Sequence, residues 1–268
     1  DEPLKTIRYL ELAGEQALRA GAYQETVDFL AQALTMSQRL RPAPQPKRQA
    51  RWHRQLADAY TGLGRLPESR HHADQAVALL GRPVPGTPRR VLGDLAGQAL
   101  RQGLHRLLPA RPVRGDPDAR ADALEAARAY ERLALLNYYA NAREAALSSV
   151  LHVANLAERA GPSPELARAY GAMSVAAGVV GLHALARRYR QWAHDTARQS
   201  DNLPALVFVL LTTSAYDLSV GRLSAACAAL TEGLEIAQDL GDQRRWAEVA
   251  ALLAQVFYHQ GELGRLAT

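Results

Sequence analysis

A forty-residue repeat constrains the fold of this chain more than any other feature of its sequence. A period of this size is typical of helical-hairpin solenoids, in which each hairpin buries its apolar face against its neighbours. Small or turn-forming residues recur in four registers. They are Asn141, Gly181, Gly221 and Gly261; Ala146, Ala186 and Ala226; Ala157, Ala197 and Ala237; and Gly161, Asp201 and Gly241.

The composition favours helices over strands. The chain has 268 residues, of which 48% are apolar and only 6% aromatic, and it is rich in Ala, Leu, Arg, Gln and Glu, which are good helix formers. The apolar content excludes a disordered chain, and the single cysteine, Cys227, excludes a disulfide scaffold. We therefore predict an all-α, tetratricopeptide-like superhelical solenoid of antiparallel helix pairs, with about forty residues per repeat.

The periodicity and the capping residues predict twelve helices. Asp116-Pro117 and Ser163-Pro164 each place a capping oxygen before a proline at the first helical position. The pattern predicts N-terminal repeats over 1–80, an irregular connecting unit with one helix over 81–116, and C-terminal repeats over 117–268. The helices are expected near 3–20, 23–40, 47–62, 66–80, 88–108, 117–140, 142–160, 164–180, 182–200, 203–220, 222–240 and 243–260.

The last repeat is truncated, because the hairpin that begins at Gly261 has too few residues for its return helix. Such an edge is expected to expose the apolar side of 243–260, namely Val249, Leu252, Leu253 and Val256. This predicts either further chain in a parent protein or self-association through this edge.

Charge and hydropathy narrow the classes of partner. The net charge is +5, but the cations are almost all arginines scattered along helices, which disfavours a nucleic-acid groove. The longest uncharged apolar stretch, 203–216, is too short to span a bilayer, so no membrane partner is expected. The first residues are neither a start methionine nor a signal peptide, and a lone cysteine fits a reducing compartment. We expect a cytoplasmic chain excised from a longer protein.

Motifs for catalysis, cofactors and metals are missing from the sequence. No phosphate-binding loop ends in Gly-Lys-Ser/Thr, and no His-Glu-x-x-His helix occurs. His71 and His72 are adjacent on a helix and are expected on a solvated face, and Cys227 has no histidine in register to act as its base. We expect no enzyme activity, no cofactor and no metal; an α-helical enzyme is the weakest alternative.

The remaining candidate is the concave groove that paired helices form. Residues in one register of the first helices should line it, and four of them are arginines, to which Arg54 adds a fifth. Guanidinium groups bind carboxylates, so a protein or acidic peptide is the expected ligand. The alternative is that arginine is so abundant that any surface register holds several. The register contains Arg8, Arg51, Arg128 and Arg168, followed by Phe208 and Glu248.

Aromatic residues extend this candidate groove toward the C-terminal half. Tyr138, Tyr139 and Tyr258 would give it an aromatic floor suited to protein contacts, unless they are core residues.

Four stretches resemble a known family. LRQGLHRLLP (100–109), LNYYANAREAA (136–146), LAERAGPSPELARAY (156–170) and GDQRRW (241–246) are similar to the C-terminal tetratricopeptide-like region of bacterial class III adenylate/guanylate cyclase–AAA ATPase fusion proteins. Related repeats also follow ATPase domains without a cyclase, and they are similar in plan to the sensor domain of maltose-responsive transcription activators. The resemblance implies a regulatory role, and no residue matches the catalytic motifs of the fused domains.

Together these features predict a non-catalytic interaction and regulatory segment of a multidomain bacterial signalling ATPase or nucleotide cyclase. Its partners would be a protein or acidic peptide in the groove and the attached catalytic domains. The alternative is a sensor that holds a small-molecule effector near 88–117.

Overall fold

A computed structural model describes residues 2–39, 45–107, 116–262 and 264. Over these residues the chain forms twelve α-helices and no strand, as the sequence predicts. The helices are α1 (Glu2–Arg19), α2 (Tyr23–Ser37), α3 (Pro46–Gly62), α4 (Leu66–Leu79), α5 (Pro88–Leu107), α6 (Pro117–Tyr139), α7 (Arg143–Ala160), α8 (Pro164–Val179), α9 (His183–Gln199), α10 (Leu203–Ser219), α11 (Leu223–Asp239) and α12 (Gln243–Gln260).

Left-handed residues end the helices at regular intervals. From 141 to 261, a residue with positive φ recurs every twenty positions, and it is a glycine at all but Asn141 and Asp201. Glycine adopts this conformation without a Cβ clash, and Asn and Asp tolerate it. At Gly181 the following N–H, that of Leu182, donates to the Ala177 carbonyl at 2.8 Å, which satisfies a carbonyl left free at the helix end.

Side-chain caps begin several helices. The Asp116 carboxylate accepts the Ala119 N–H at 3.0 Å, and the Ser163 hydroxyl accepts the Leu166 N–H at 3.2 Å. Both caps were predicted from the sequence, and both are followed by a proline at the first helical position. Asn202 caps α10 in the same way. Helix starts are therefore fixed locally at these positions.

The chain divides into two compact units. The N-terminal unit contains α1 to α6 and α7 up to residue 156; the C-terminal unit contains the end of α7 and α8 to α12. In the N-terminal unit α1 pairs with α2 and α3 with α4, and α6 packs directly on α3 and α4. Helix α5 is thus an insertion between consecutive hairpins. The core of this unit includes Ile7, Leu30, Trp52 and Leu56, all buried.

The C-terminal unit repeats this plan with α8 paired with α9, α10 with α11, and α12 packed on both α10 and α11. Val249, Leu253 and Val256 of α12 are buried in a cluster that includes Leu230, and Leu252 is partly buried against it. The expectation that these residues form an exposed apolar edge is therefore wrong. The apolar side of the last helix faces the preceding hairpin, because that hairpin already supplies its packing partner. The predicted return segment at 265–268 lies outside the described residues.

Candidate protein-binding surface

Ion pairs join the first helices of the N-terminal unit side by side. Between α3 and α1, Arg48 Nη2 lies 2.7 Å from Glu11 Oε2, and the Trp52 indole N–H donates to Glu11 Oε1 at 3.1 Å. Between α3 and α6, Arg54 Nε lies 2.5 Å from Glu125 Oε1. The three helices α1, α3 and α6 therefore present one continuous face.

Arg54 is the centre of the contact between α3 and α6. It donates to Asp58 Oδ2 at 2.8 Å as well as to Glu125, while Arg132 Nε reaches Asp58 Oδ1 at 2.8 Å. Arg128 Nη1 lies 3.3 Å from the other oxygen of Glu125. Burial alone would lower the pKa of Arg54, but Asp58 and Glu125 raise it above its ordinary value, so the guanidinium stays charged.

Arg51 faces solvent between these two contacts. On α3, Arg48 and Gln55 point toward α1, whereas Arg54 and Asp58 point toward α6. Arg51 lies at a helical angle between the two sets, and its side chain is exposed. It makes no ion pair with the part of the chain that the structure describes. It therefore carries charge that a partner can use.

Arg8 occupies the equivalent position on α1. It is exposed, it makes no ion pair with the described residues, and Leu4 and Leu12 lie one turn to either side of it with about half of each side chain exposed. The face formed by α1, α3 and α6 thus combines two free guanidinium groups with two exposed leucines. We call it the first-helix face.

The predicted stripe is divided between the two units. Arg8, Arg51, Arg54 and Arg128 lie in the N-terminal unit, and Arg54 and Arg128 meet at Glu125. Arg168 lies on α8 of the C-terminal unit, where its Nη2 is 3.7 Å from Glu165 Oε1. Phe208 of that unit is covered by the Arg245 guanidinium, 5.2 Å from the ring centroid.

The three predicted tyrosines are surface residues. Tyr138 and Tyr139 lie at the end of α6 with ring centroids 5.9 Å apart, and Tyr258 lies near the end of α12 in the other unit. All three are more than half exposed, so the alternative that they form core is wrong. Tyr139 follows Arg128 by three helical turns, which places it on the same side of α6.

Sequence reasoning missed a polar seam that fixes α5 on α7. Asp94 accepts hydrogen bonds from the Ser148 hydroxyl and contacts His152 Nε2 at 2.9 Å, and the Asn155 amide donates to Gln98 Oε1 at 2.9 Å. Asp94 contacts Ser148 and His152, and Gln98, one turn further along α5, contacts Asn155, which is further along α7. The two helices therefore run in the same direction. The spacing of Asp94, Gln98 and Gln102 by four residues is the signal that could have found this seam.

The seam includes titratable groups and a serine hydroxyl, but the serine is not paired with a histidine base. Burial lowers the pKa of His152 despite the opposing effect of Asp94, and burial raises the pKa of Tyr130, whose ring stacks on His152 at 4.1 Å, to about 12. Ser148 donates to Asp94 and not to His152. Serine activation requires a hydrogen bond to the base, so this arrangement holds two helices together and lacks the geometry of an acyl-transfer site.

Two histidines of the N-terminal unit are close together. His53 Nδ1 and His72 Nδ1 are 2.9 Å apart, and the Tyr60 ring stacks on His72. Burial, reinforced by neighbouring imidazoles, lowers the pKa of each to about 4. The expectation that His72 lies on a solvated face is therefore wrong, although His71 is exposed. Among the described residues, no group of three or more His, Cys, Asp or Glu is placed to hold a metal.

Comparison with known proteins identifies the fold. No family model and no curated protein matches the chain. The crystal structure of the apo form of RapI is similar, with a TM-score of 0.61 and 11% identity over 97% of this chain and 85% of that one. The TPR2AB domain of yeast Sti1 in its pHSP90 complex has a TM-score of 0.37 at 14% identity, covering 93% of this chain and 85% of that one.

The assembly chaperone of RpL4, Acl4, has a TM-score of 0.38 at 15% identity, covering 97% of this chain and 99% of that one. The similarity to RapI, at 11% identity, shows the fold. No helix within the described ranges is both long and apolar enough to cross a membrane. The chain is an all-α, tetratricopeptide-like solenoid of antiparallel helix pairs.

Proposed function

We propose that this chain is a non-catalytic protein-binding segment whose partner docks on the first-helix face. The observation that carries the proposal is the contrast between arginines on neighbouring helices. Arg54 is bonded to two carboxylates in the interior of the face, whereas Arg8 and Arg51 are exposed and leave their charge to solvent. A surface that holds uncompensated guanidinium groups in fixed positions suits a carboxylate-bearing ligand.

The ligand that fits this face is an acidic peptide with at least one apolar side chain. Carboxylates would pair with Arg8 and Arg51, and an apolar side chain would cover Leu4 and Leu12, which are half exposed. Arg128 and Tyr139, on the same side of α6, extend the surface in the direction of a bound segment. Binding energy would come from the covered leucines, and orientation from the guanidinium groups.

The finer proposal places this segment in a larger protein. The resemblance of four stretches to the repeats of cyclase–ATPase fusions supports a regulatory, cytoplasmic role in a bacterial signalling ATPase or nucleotide cyclase. Binding that favours one arrangement of the repeats would then alter the attached catalytic domain by the difference in affinity between two states. In the longer protein, an acidic ligand should change nucleotide turnover, and Arg8→Gln with Arg51→Gln should remove that change.

The binding site is tested on an array of about twelve-residue peptides of graded acidic content, probed with the full chain. Acidic peptides that contain leucine should bind best, and the affinity should fall with salt. The pair Arg8→Gln and Arg51→Gln should weaken this binding about tenfold. The matched pair Arg39→Gln and Arg187→Gln removes the same charge from exposed positions elsewhere. Equal loss in both pairs would show that net charge, and not this face, binds the peptide.

A further inference from the structure

Helix α5 is amphipathic, but its polar side faces the protein and its apolar side faces solvent. Its acidic and amide side chains, Asp94, Gln98 and Gln102, point inward, and two of them bond to residues of α7. Soluble helices usually bury their apolar stripe and expose their polar side. Here the helix is attached by hydrogen bonds, and its apolar side is left outside.

Leucine, alanine and glycine make up most of the outward side of α5. Leu100 and Leu107 are 67% and 79% exposed, and Leu92 and Leu104 are each about half exposed. A single exposed leucine needs no explanation, but four on one helix form a contiguous apolar surface. The exposed residues of α5 are Pro88, Arg89, Arg90, Leu92, Gly93, Ala96, Gly97, Ala99, Leu100, Arg101, Gly103, Leu104 and Leu107.

The only charges on this outward side are positive. Arg90 and Arg101 are three helical turns apart and border the leucines along one side, and Arg89 lies at the start of the helix. Asp94, the one acidic residue of α5, is occupied by Ser148 and His152. A second copy of α5 would bring like charges together, whereas a partner with acidic side chains beside an apolar stripe would complement this surface.

The small residues of α5 favour a helical partner over a bilayer. A Cβ added at Gly93, Gly97 or Gly103 would meet nothing within 4 Å, so another backbone has room to approach closely there. Helices that lie on membranes insert Trp, Phe and Leu side chains, whereas α5 has no Trp or Phe and carries glycine and alanine among its leucines. We propose that α5 docks an amphipathic α-helix of a partner protein, whose apolar side covers Leu100 and Leu104 and whose acidic flank meets Arg90 and Arg101.

This docking surface is separate from the first-helix face, since it uses α5 and not α1, α3 or α6. The partner helix would bind along the apolar surface of α5 and contact it through side chains spaced one helical turn apart. The two proposals therefore fail independently.

The experiment measures fluorescence anisotropy of labelled designed helices of about twenty residues with the full chain. One probe carries leucine and alanine on one side and glutamate on the flanks; its twin carries lysine on the flanks. The glutamate probe should bind at least about tenfold more tightly than its twin. The double variant Leu100→Gln and Leu104→Gln should weaken binding at least about tenfold, and Arg90→Gln with Arg101→Gln should weaken it and reduce its salt dependence.

Matched variants in the C-terminal unit serve as controls. Leu182→Gln and Arg187→Gln replace side chains that are also exposed and should leave the affinity within about twofold. All these side chains are exposed, so thermal melts should not change. Equal binding of the two probes, or an equal loss in Leu182→Gln, would overturn the proposal. Tighter binding to phosphatidylserine vesicles, with the same dependence on Leu100 and Leu104, would replace it with a membrane surface.

Discussion

The same substitution should have a large effect on stability at Arg54 and almost none at Arg51, although the two arginines lie one turn apart on α3. Arg54→Gln should destabilise the N-terminal unit by about 3 kcal/mol, because it leaves a buried carboxylate without its main partner. Arg51→Gln should change the free energy of unfolding by less than about 0.5 kcal/mol, because Arg51 is exposed. The comparison separates an arginine that holds the fold from one that is free to bind.

The magnitude follows from the two bonds that Arg54 makes. Nε donates to Glu125 at 2.5 Å and Nη1 to Asp58 at 2.8 Å, with side chains 13% exposed for Arg54 and 9% for Glu125. Hydrogen bonds to charged groups contribute about 1.5 to 3 kcal/mol each. Removing one partner of a buried ion pair costs about 3 to 5 kcal/mol. Glutamine can replace one of the two bonds and Arg128 still contacts Glu125, so we expect the lower end of that range, about 3 kcal/mol. In a unit of this size, the melting temperature should fall by about 6 to 12 °C.

Tryptophan fluorescence can report the N-terminal unit alone. Trp52 is fully buried there, whereas Trp192 and Trp246 lie in the C-terminal unit. Urea unfolding in a background with Trp192→Phe and Trp246→Phe therefore follows the contact of interest. Equal stability of the Arg54→Gln and Arg51→Gln proteins would refute the reasoning. So would an undiminished effect of Arg54→Gln in a Glu125→Gln background, since the lost partner would then not be the cause.

Three further perturbations have definite outcomes. Between pH 6.5 and about 4, His53 and His72 bind protons in the unfolded chain but not in the folded one. The stability of the N-terminal unit to urea should therefore decrease as the pH falls through this range. The His72→Gln variant should show a smaller decrease. Gly178→Ala would place a Cβ 2.6 Å from a buried tyrosine ring and should lower the melting temperature, whereas Gly233→Ala meets nothing closer than 3.5 Å and should raise it slightly. Asp94→Asn removes the charge that holds the α5–α7 seam, so amide exchange over 88–107 should accelerate; unchanged protection would show that the seam does not hold α5.

The helices could be predicted from the sequence because their ends are set locally. A glycine, asparagine or aspartate in the left-handed conformation ends a helix without help from distant residues, and Asp116 and Ser163 begin helices in the same local way. The prediction of an exposed apolar edge at α12 was wrong because the repeat pattern shows which side of a helix is apolar but not which neighbouring helix that side contacts. Val249 and Val256 pack on the hairpin before them.

The candidate site could be predicted only in part, for a related reason. Helical spacing places Arg51 on an outward side of α3, and the structure finds it exposed there. Arg54 is paired, and not free, because it contacts Glu125, which lies 71 residues away in the chain. One sequence does not reveal which carboxylate meets which guanidinium, so a register of arginines predicts positions and not free charge.

The orientation of helix α5 could not be predicted from the sequence. The four-residue spacing of Asp94, Gln98 and Gln102 is visible in the sequence, and so is the row of leucines opposite, but the usual expectation buries the leucines. The side that α5 turns inward is decided by polar groups on α7, where Ser148, His152 and Asn155 offer hydrogen bonds that leucine cannot use. Because the polar side of α5 must face these groups, its leucines point away from the unit. An exposed apolar face on α5 is thus a consequence of how α7 is built, and it is this face that a partner helix would cover.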